Sequence, residues 1–244
     1  DNPLFARATV NRLWAAMFGR GLVEPVDDLR GTNPATHPEL LDLLTEDFIE
    51  HEYDLRHTLR IIASSETFAR GEASDSSIVD DRFYSRAYRR QLEPEILADA
   101  IAEVTGISDV YGNEPEGTHA VALFDPATPS VSLDILGRCS RTTSCEGDSV
   151  GGGFPAKLHQ LNGELINRKI AAPEGRLHRN LAEGLSDQQI VTDLYLRGLS
   201  RTPTEAELLF WQRELQGSDT DLRKARFEDL FWSLLNCNEF TTNH

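Results

Sequence analysis

The sequence predicts a mostly α protein, a multi-helix domain divisible into two helical lobes and interrupted by a long irregular segment rich in glycine and proline. Three observations carry that expectation. Apolar residues recur at spacings of three and four in nearly every strongly patterned stretch, the period of one helix face. Helix-capping signals stand at the starts of several of those stretches. Glycine and proline gather between residues 107 and 154, where the helical period lapses.

The elements follow in chain order. Val10, Leu13, Trp14, Met17 and Phe18 make one helix face, ending at Gly19 or Gly21. Thr36 is placed to cap a second helix, with Pro38 in its first turn, Glu39 at the capping-box position, and Leu40, Leu41, Leu44 and Phe48 as its stripe. Leu55, Leu59 and Ile62 repeat the pattern in a third. Residues 71–80 are small and polar and read as a loop. Pro94 and Glu95 open a helix carrying Ile96, Leu97, Ala100, Ile101 and Val104, stopped by Gly106. Within 107–154 the one stretch with strand character is Ala120–Phe124. Past Pro155 the helical period returns through Leu158, Leu161, Leu165 and Ile166. Ser186 with Gln189 forms a capping box, and Thr202-Pro203-Thr204-Glu205 reads as another with proline at the first helical position. Phe227, Leu230, Phe231, Leu234 and Leu235 form the last apolar stripe. The expected organisation is an N-terminal helical lobe over 1–106, the irregular segment over 107–154 and a C-terminal helical lobe over 155–244, joined in one integrated domain.

Composition narrows the function. The chain has 244 residues, 39 % of them hydrophobic, enough to bury a core without disulfide or metal staples. Asp and Glu number 40 against 24 Lys and Arg, a net charge of −16, which repels phosphate backbones and anionic lipid and disfavours a nucleic-acid or membrane-surface role. No run is long and apolar enough for a transmembrane helix. The opening Asp1-Asn2-Pro3-Leu4 lacks an initiator Met and a signal-like apolar core, and reads as part of a longer protein or a processed product. Three cysteines, Cys139, Cys145 and Cys237, are too few for a disulfide framework. The spacing of Cys139 and Cys145 permits a bridge in an oxidising compartment without forcing one, while Cys237 reads as a helix-buried thiol.

Sites of chemistry are hard to find by motif. His51-Glu52 starts like a zinc-protease helix, but the next histidine is His57. Six residues of continuous helix rotate by about 600°, so the two imidazoles are expected on different faces and no metal site is assigned. His119, His159 and His178 are scattered. There is no Cys-x-x-Cys-His for covalent haem and no Gly-x-Ser-x-Gly elbow. Gly151-Gly152-Gly153 precedes a helix, where backbone N–H groups can cradle an anion, but a flexible linker is the blander reading. The basic stretch Arg82, Arg86, Arg89 and Arg90 would put Arg82, Arg86 and Arg89 on one face if helical. It could seat an anion beside Tyr84 and Tyr88, or pair with the surplus carboxylates, and the second is favoured. Trp14, Trp211 and Trp232 lie on or beside apolar stripes, which argues for burial rather than sugar stacking.

Several ordered motifs coincide with a known family. They begin with Asn2-Pro3-Leu4-Phe5-Ala6-Arg7, Val10-Asn11-Arg12-Leu13-Trp14, Phe18-Gly19-Arg20-Gly21-Leu22-Val23 and His37-Pro38-Glu39-Leu40-Leu41. They continue with Phe83-Tyr84-Ser85-Arg86-Ala87, Arg89-Arg90-Gln91-Leu92, Leu161-Asn162-Gly163, Asn167-Arg168-Lys169-Ile170 and Leu199-Ser200-Arg201-Thr202-Pro203-Thr204. The chain thereby resembles a planctomycete-specific C-terminal domain of unknown function, found in large proteins that often carry a cytochrome c-like domain. It departs where the family has a Cys-Glu-Cys-Glu-Arg run, because here Cys145-Glu146 is followed by Gly147 and Ser149, and Cys139 is extra.

The resemblance implies a periplasmic, envelope-associated or exported parent, with haem c in another domain and no cofactor in this segment. Its partners would be other domains of that parent or a separate protein. The polar motif residues Asn11, Arg12, Arg20, Arg86, Arg90, Asn162 and Asn167 read first as contacts holding helix ends, and second as a shared binding cleft. Asn11, Arg12, Arg86, Arg90, Asn162 and Asn167 are therefore the candidate binding residues. The sequence leans toward a non-catalytic helical interaction or scaffold domain. The alternative is an enzyme domain, hydrolytic or linked to electron transfer, with its site near 107–154.

Overall fold

The computed structural model describes residues 3–71, 81–138, 153–162 and 164–243. Among the described residues its regular elements are almost all helices, as the periodicity requires, and its contacts divide the chain into two compact units that meet in sequence at Arg90 and Gln91.

The first unit contains α1 (Pro3–Phe18), α2 (Pro38–Glu50) and α3 (Leu55–Ala63). Ala6, Val10 and Trp14 follow one another at four-residue spacing on α1 and are buried with Leu41, Leu44 and Phe48 of α2 and Ile62 of α3. Aromatic rings close this core from the side. Trp14 stacks on Phe18 at 4.3 Å and meets the edge of Tyr84 at 5.3 Å. Helix α1 stops at Gly19, whose φ of +79° is a left-handed conformation that a side chain resists. A Cβ there would also lie 2.2 Å from Cδ of Arg90.

The start of α2 differs from expectation. His37, not Thr36, is the capping residue and gives no side-chain bond to the helix. The Thr36 hydroxyl instead donates to the Leu22 carbonyl, tying the 20–36 loop to the helix entry. The arginine-rich stretch also differs: a single 3-10 turn, Asp81–Phe83, precedes non-helical chain, so Arg82, Arg86 and Arg89 share no helix face. Tyr84 breaks the helix there with φ +50°. The loop expected at 71–80 lies, apart from Gly71, outside the described residues.

The second unit contains α4 (Pro94–Thr105), α5 (Val131–Leu136), α6 (Gly153–Asn162), α7 (Glu164–Ala171), α8 (Arg176–Ala182), α9 (Asp187–Leu199), α10 (Glu205–Leu215), α11 (Thr220–Asn236) and α12 (Asn238–Thr241). Two short strands, β1 (Arg90–Gln91) and β2 (Thr242–Asn243), complete the described elements. The stripe Phe227, Leu230, Phe231, Leu234 and Leu235 is wholly buried, with α7, α9 and α10 packed around α11. Leu97, Ile101 and Val104 place α4 in this same core, so that helix packs with the C-terminal lobe. Trp211 and Trp232 are partly buried against it.

Caps show how local chemistry and packing divide the work. Ser186 and Gln189 form the expected capping box on α9. The box on α10 is shifted by two residues, to Thr204 and Glu207. Glu207 is held there because its carboxylate also takes the Arg201 guanidinium, which bridges to Glu239 on α12. The stretch at 120–124 forms a 3-10 turn over Ala120–Ala122 rather than a strand. Asp99 of α4 accepts the Ala120 and Val121 N–H groups at 2.6 and 3.1 Å, and this cap outweighs the β propensity of the segment. Cys237 sits at the break between α11 and α12, a partly buried free thiol rather than a mid-helix one.

Candidate functional site

The six candidate residues divide between the units: Asn11, Arg12, Arg86 and Arg90 belong to the first, Asn162 and Asn167 to the second. Asn11 is completely buried on α1. Its amide donates to the Val23 and Val26 carbonyls at 3.0 and 2.8 Å, and its oxygen accepts the Val23 N–H at 2.9 Å. All of its main hydrogen-bonding directions are thus spent on one loop. Arg90 donates to the Ala16 and Met17 carbonyls at 2.9 and 2.8 Å, satisfying groups that the end of α1 leaves without helical partners. Arg12 is exposed and pairs with Asp27 at 2.8 Å, a surface contact. The Arg86 guanidinium lies over the Tyr88 ring at 5.6 Å. Asn162 ends α6 and Asn167 lies on α7, both exposed. Cys139, Cys145 and the glycines at 151 and 152 lie outside the described residues.

Tyr84, which the family motif contains, also serves the backbone. Its hydroxyl donates to the Gly21 carbonyl at 2.6 Å, and burial pushes the phenol up to about 12.

The second unit has a polar cavity of ≈210 Å3 where α4 meets the 106–119 segment, lined by Asp99, Ser108, Asp109, Tyr111, His119 and Arg176 among others. Behind it lies a group that the sequence did not mark. Lys169 on α7 is 1 % exposed, 3.0 Å from Asp109 and 2.6 Å from the Ile107 carbonyl. Burial lowers its ammonium, with Asp109 opposing the shift, while burial and then Asp109 push the Tyr111 phenol up. The sequence signal was present: Lys169 falls on the apolar face between Ile166 and Ile170, where a lysine needs a buried partner. Arg176 gives its guanidinium to the Val104 and Glu103 carbonyls at the end of α4. Asp99 caps the 3-10 turn, leaving His119 3.7 Å from one of its oxygens. Most charged groups around this cavity are therefore engaged in holding the segment to the helices.

A different situation holds at the turn between α2 and α3. His51 and His57 stack at 3.7 Å with their planes 16° apart, which overturns the expectation that they point to different faces. The helix on which that expectation rested does not continue. His51 is the C-terminal cap of α2, and Glu52 and Tyr53 take left-handed φ values of +53° and +64° that reverse the chain. Asp54 then caps α3 by accepting the Arg56 and His57 N–H groups. His51 and Asp47 are four residues apart on one face of α2, and the reversal brings His57 to the same carboxylate. His57 Nε2 is 3.0 Å from Asp47 Oδ2 and His51 Nδ1 is 3.3 Å from Asp47 Oδ1. Among the described residues, these three side chains form the one group of His, Cys or carboxylates able to converge on a cation.

The comparisons with known proteins end at the family level. Residues 1–214 match a family model described as "PSD1: Protein of unknown function (DUF1553)". No curated protein and no solved structure matches the chain.

Proposed function

Since the chain belongs to the PSD1 family of proteins of unknown function (DUF1553), we propose that it is a non-catalytic helical interaction module within a larger exported protein. The observation that carries this reading is where its polar motif side chains go. Asn11, Tyr84 and Arg90 in the first unit, and Lys169 in the second, are directed at the protein's own backbone carbonyls, as is Arg176 outside the motifs. Such residues shape a rigid helical surface and leave few poised groups for turnover. The planctomycete-specific, cytochrome c-associated domains that the motifs resemble support an exported parent with its haem in another domain. The absence of a Cys-x-x-Cys-His motif from this sequence fits that assignment.

The experiment is a calorimetric titration of this chain against the separately prepared remainder of its parent protein. Saturable binding is the expected result. The competing enzymatic reading is served by the polar cavity beside Asp109 and His119. Hydrolytic turnover by the purified chain, abolished by His119→Ala with folding intact, would replace the module reading by that one.

A further inference from the structure

We propose that Asp47, His51 and His57 form a binding site for one divalent cation of the zinc class. The argument starts from chemistry. Two imidazole nitrogens and one carboxylate oxygen are borderline ligands, suited to Zn2+ and its first-row neighbours and poorly suited to Ca2+ or Mg2+. At metal–ligand bonds of about 2.0–2.2 Å, the edge of a tetrahedral coordination shell spans roughly 3.3–3.6 Å. His57 Nε2 lies 3.0 Å from Oδ2 of Asp47 and His51 Nδ1 3.3 Å from Oδ1, so with either oxygen as ligand one separation is already close to such an edge, and the three ligand atoms lie within 4.8 Å of one another.

The turn holds these groups in place by means unrelated to the cluster itself. The backbone N–H groups of His51, Glu52, Tyr53 and Asp54 donate to Asp47, Ile49, Phe48 and His51 carbonyls, closing the reversal at 2.9–3.1 Å. The Tyr53 ring packs edge-on against the buried Phe48 at 5.3 Å. Asp54 fixes the first turn of α3, and with it His57. Helix α2 adds Glu39, Glu46 and Glu50 and contains no basic residue, while Asp42 is paired with Arg7 and α3 carries Arg56 and Arg60 on either side of His57. Three ligands in a fixed turn leave the fourth coordination position to water or to an incoming group.

Binding carries a geometric demand. Two imidazoles on one tetrahedral ion place their ring centres about 5 Å apart, against the 3.7 Å of the present stack. His51, with its side chain 47 % exposed, has the freedom to swing outward. It would exchange its 2.9 Å contact with the Asp47 carbonyl for the metal. The stack therefore opens on loading.

The test titrates Zn2+ into the chelator-stripped 244-residue chain at neutral pH, in competition with a chromophoric chelator of micromolar affinity. Expected are one Zn2+ per chain and, for Co2+ in its place, the intense visible absorption of a four-coordinate site. Outer-shell changes alone cost metal sites about 10–100-fold in affinity, so losing a ligand through Asp47→Asn, His51→Ala or His57→Gln should weaken binding at least tenfold. His178→Gln, on α8 in the other unit, should leave it unchanged. Each variant is melted in chelator, and the exposed His51→Ala keeps the test valid if a more buried variant fails to fold. Zn2+ affinity indifferent to all three substitutions, or no competition with the chelator, would overturn the proposal. Neither result bears on the module reading, which is decided by calorimetry against the parent's other domains.

Discussion

Replacing Asn11 by alanine separates an architectural asparagine from a ligand-binding one. The side chain is fully buried and makes three hydrogen bonds of 2.8–3.0 Å, two given and one accepted. Each such bond is worth about 1 kcal/mol net, and a buried group left without a partner costs about 1–3 kcal/mol. Truncation removes all three bonds and strands the buried Val23 N–H, so the expected loss is about 3–4 kcal/mol. For a unit of this size, with total stability on the order of 5–13 kcal/mol, that is a large share. Asn11→Asp should cost at least as much at neutral pH, because it keeps the shape but turns a donor toward two carbonyls into an acceptor. Hydrogen exchange read by peptide mass spectrometry is the suitable assay, since it reports the two units separately. Peptides spanning α1 and residues 20–28 should exchange roughly a hundredfold faster or more, and those from α9–α11 should not change. A loss under about 1 kcal/mol would refute the reasoning. The loop would then not depend on Asn11, and a buried amide with no architectural task would return to the list of binding residues.

Three further outcomes follow from other contacts. Asp109→Asn should destabilise the second unit by about 3–5 kcal/mol, because it removes the counter-charge of the buried Lys169 ammonium and leaves it neutral acceptors such as the Ile107 carbonyl; Lys169→Met should cost less, and the reverse order of urea midpoints would sink the argument. The Arg201 guanidinium holds the Glu207 carboxyl at about 2, down from 4.5, so its contribution is complete above about pH 4.5 and lost as pH falls toward 2. Taken at face value the shift is worth about 3 kcal/mol, but with 31 % of the side chain exposed, screening reduces it to about 1 kcal/mol; a Glu207→Gln chain with an unchanged acid-unfolding limb would contradict this. Gly19→Ala should cost about 1–2 kcal/mol for the left-handed φ alone and more for displacing Arg90; a double-mutant cycle with Arg90→Ala that shows no coupling would rule out the displacement.

The helices were legible because their signals are local. The α9 box needs only Ser186 and Gln189, and the α11 stripe needs only its own apolar spacing. What escaped was decided at a distance. The 120–122 turn depends on Asp99, twenty-odd residues earlier in α4. Two Thr-x-x-Glu boxes overlap at 202–207, and the choice between them involves Arg201 and Glu239 of another helix. Lys169 looked like one more charge on a helix until Ile107 and Asp109 were brought beside it. At the histidine pair the spacing argument was sound for a continuous helix, and the helix was the mistaken premise. His51-Glu52-Tyr53-Asp54 carries no glycine or proline to announce a reversal, so two left-handed non-glycine residues were not readable from composition.

That failure points to where function belongs in this chain. A polar side chain that satisfies a backbone carbonyl is accounted for by folding, and Asn11, Arg90, Arg176 and Lys169 are all of this kind. Arg12 and Asp27 are accounted for as an exposed surface pair, screened by solvent. Asp47, His51 and His57 differ, because apart from one contact of His51 with the Asp47 carbonyl their polar contacts are with one another. The turn beneath them is already closed by backbone bonds and by the packing of Tyr53 on Phe48. Removing either imidazole should therefore leave the fold intact while changing what the turn can bind. Most of the described motif side chains serve the fold, and the proposed cation site rests on a turn that the helical period concealed.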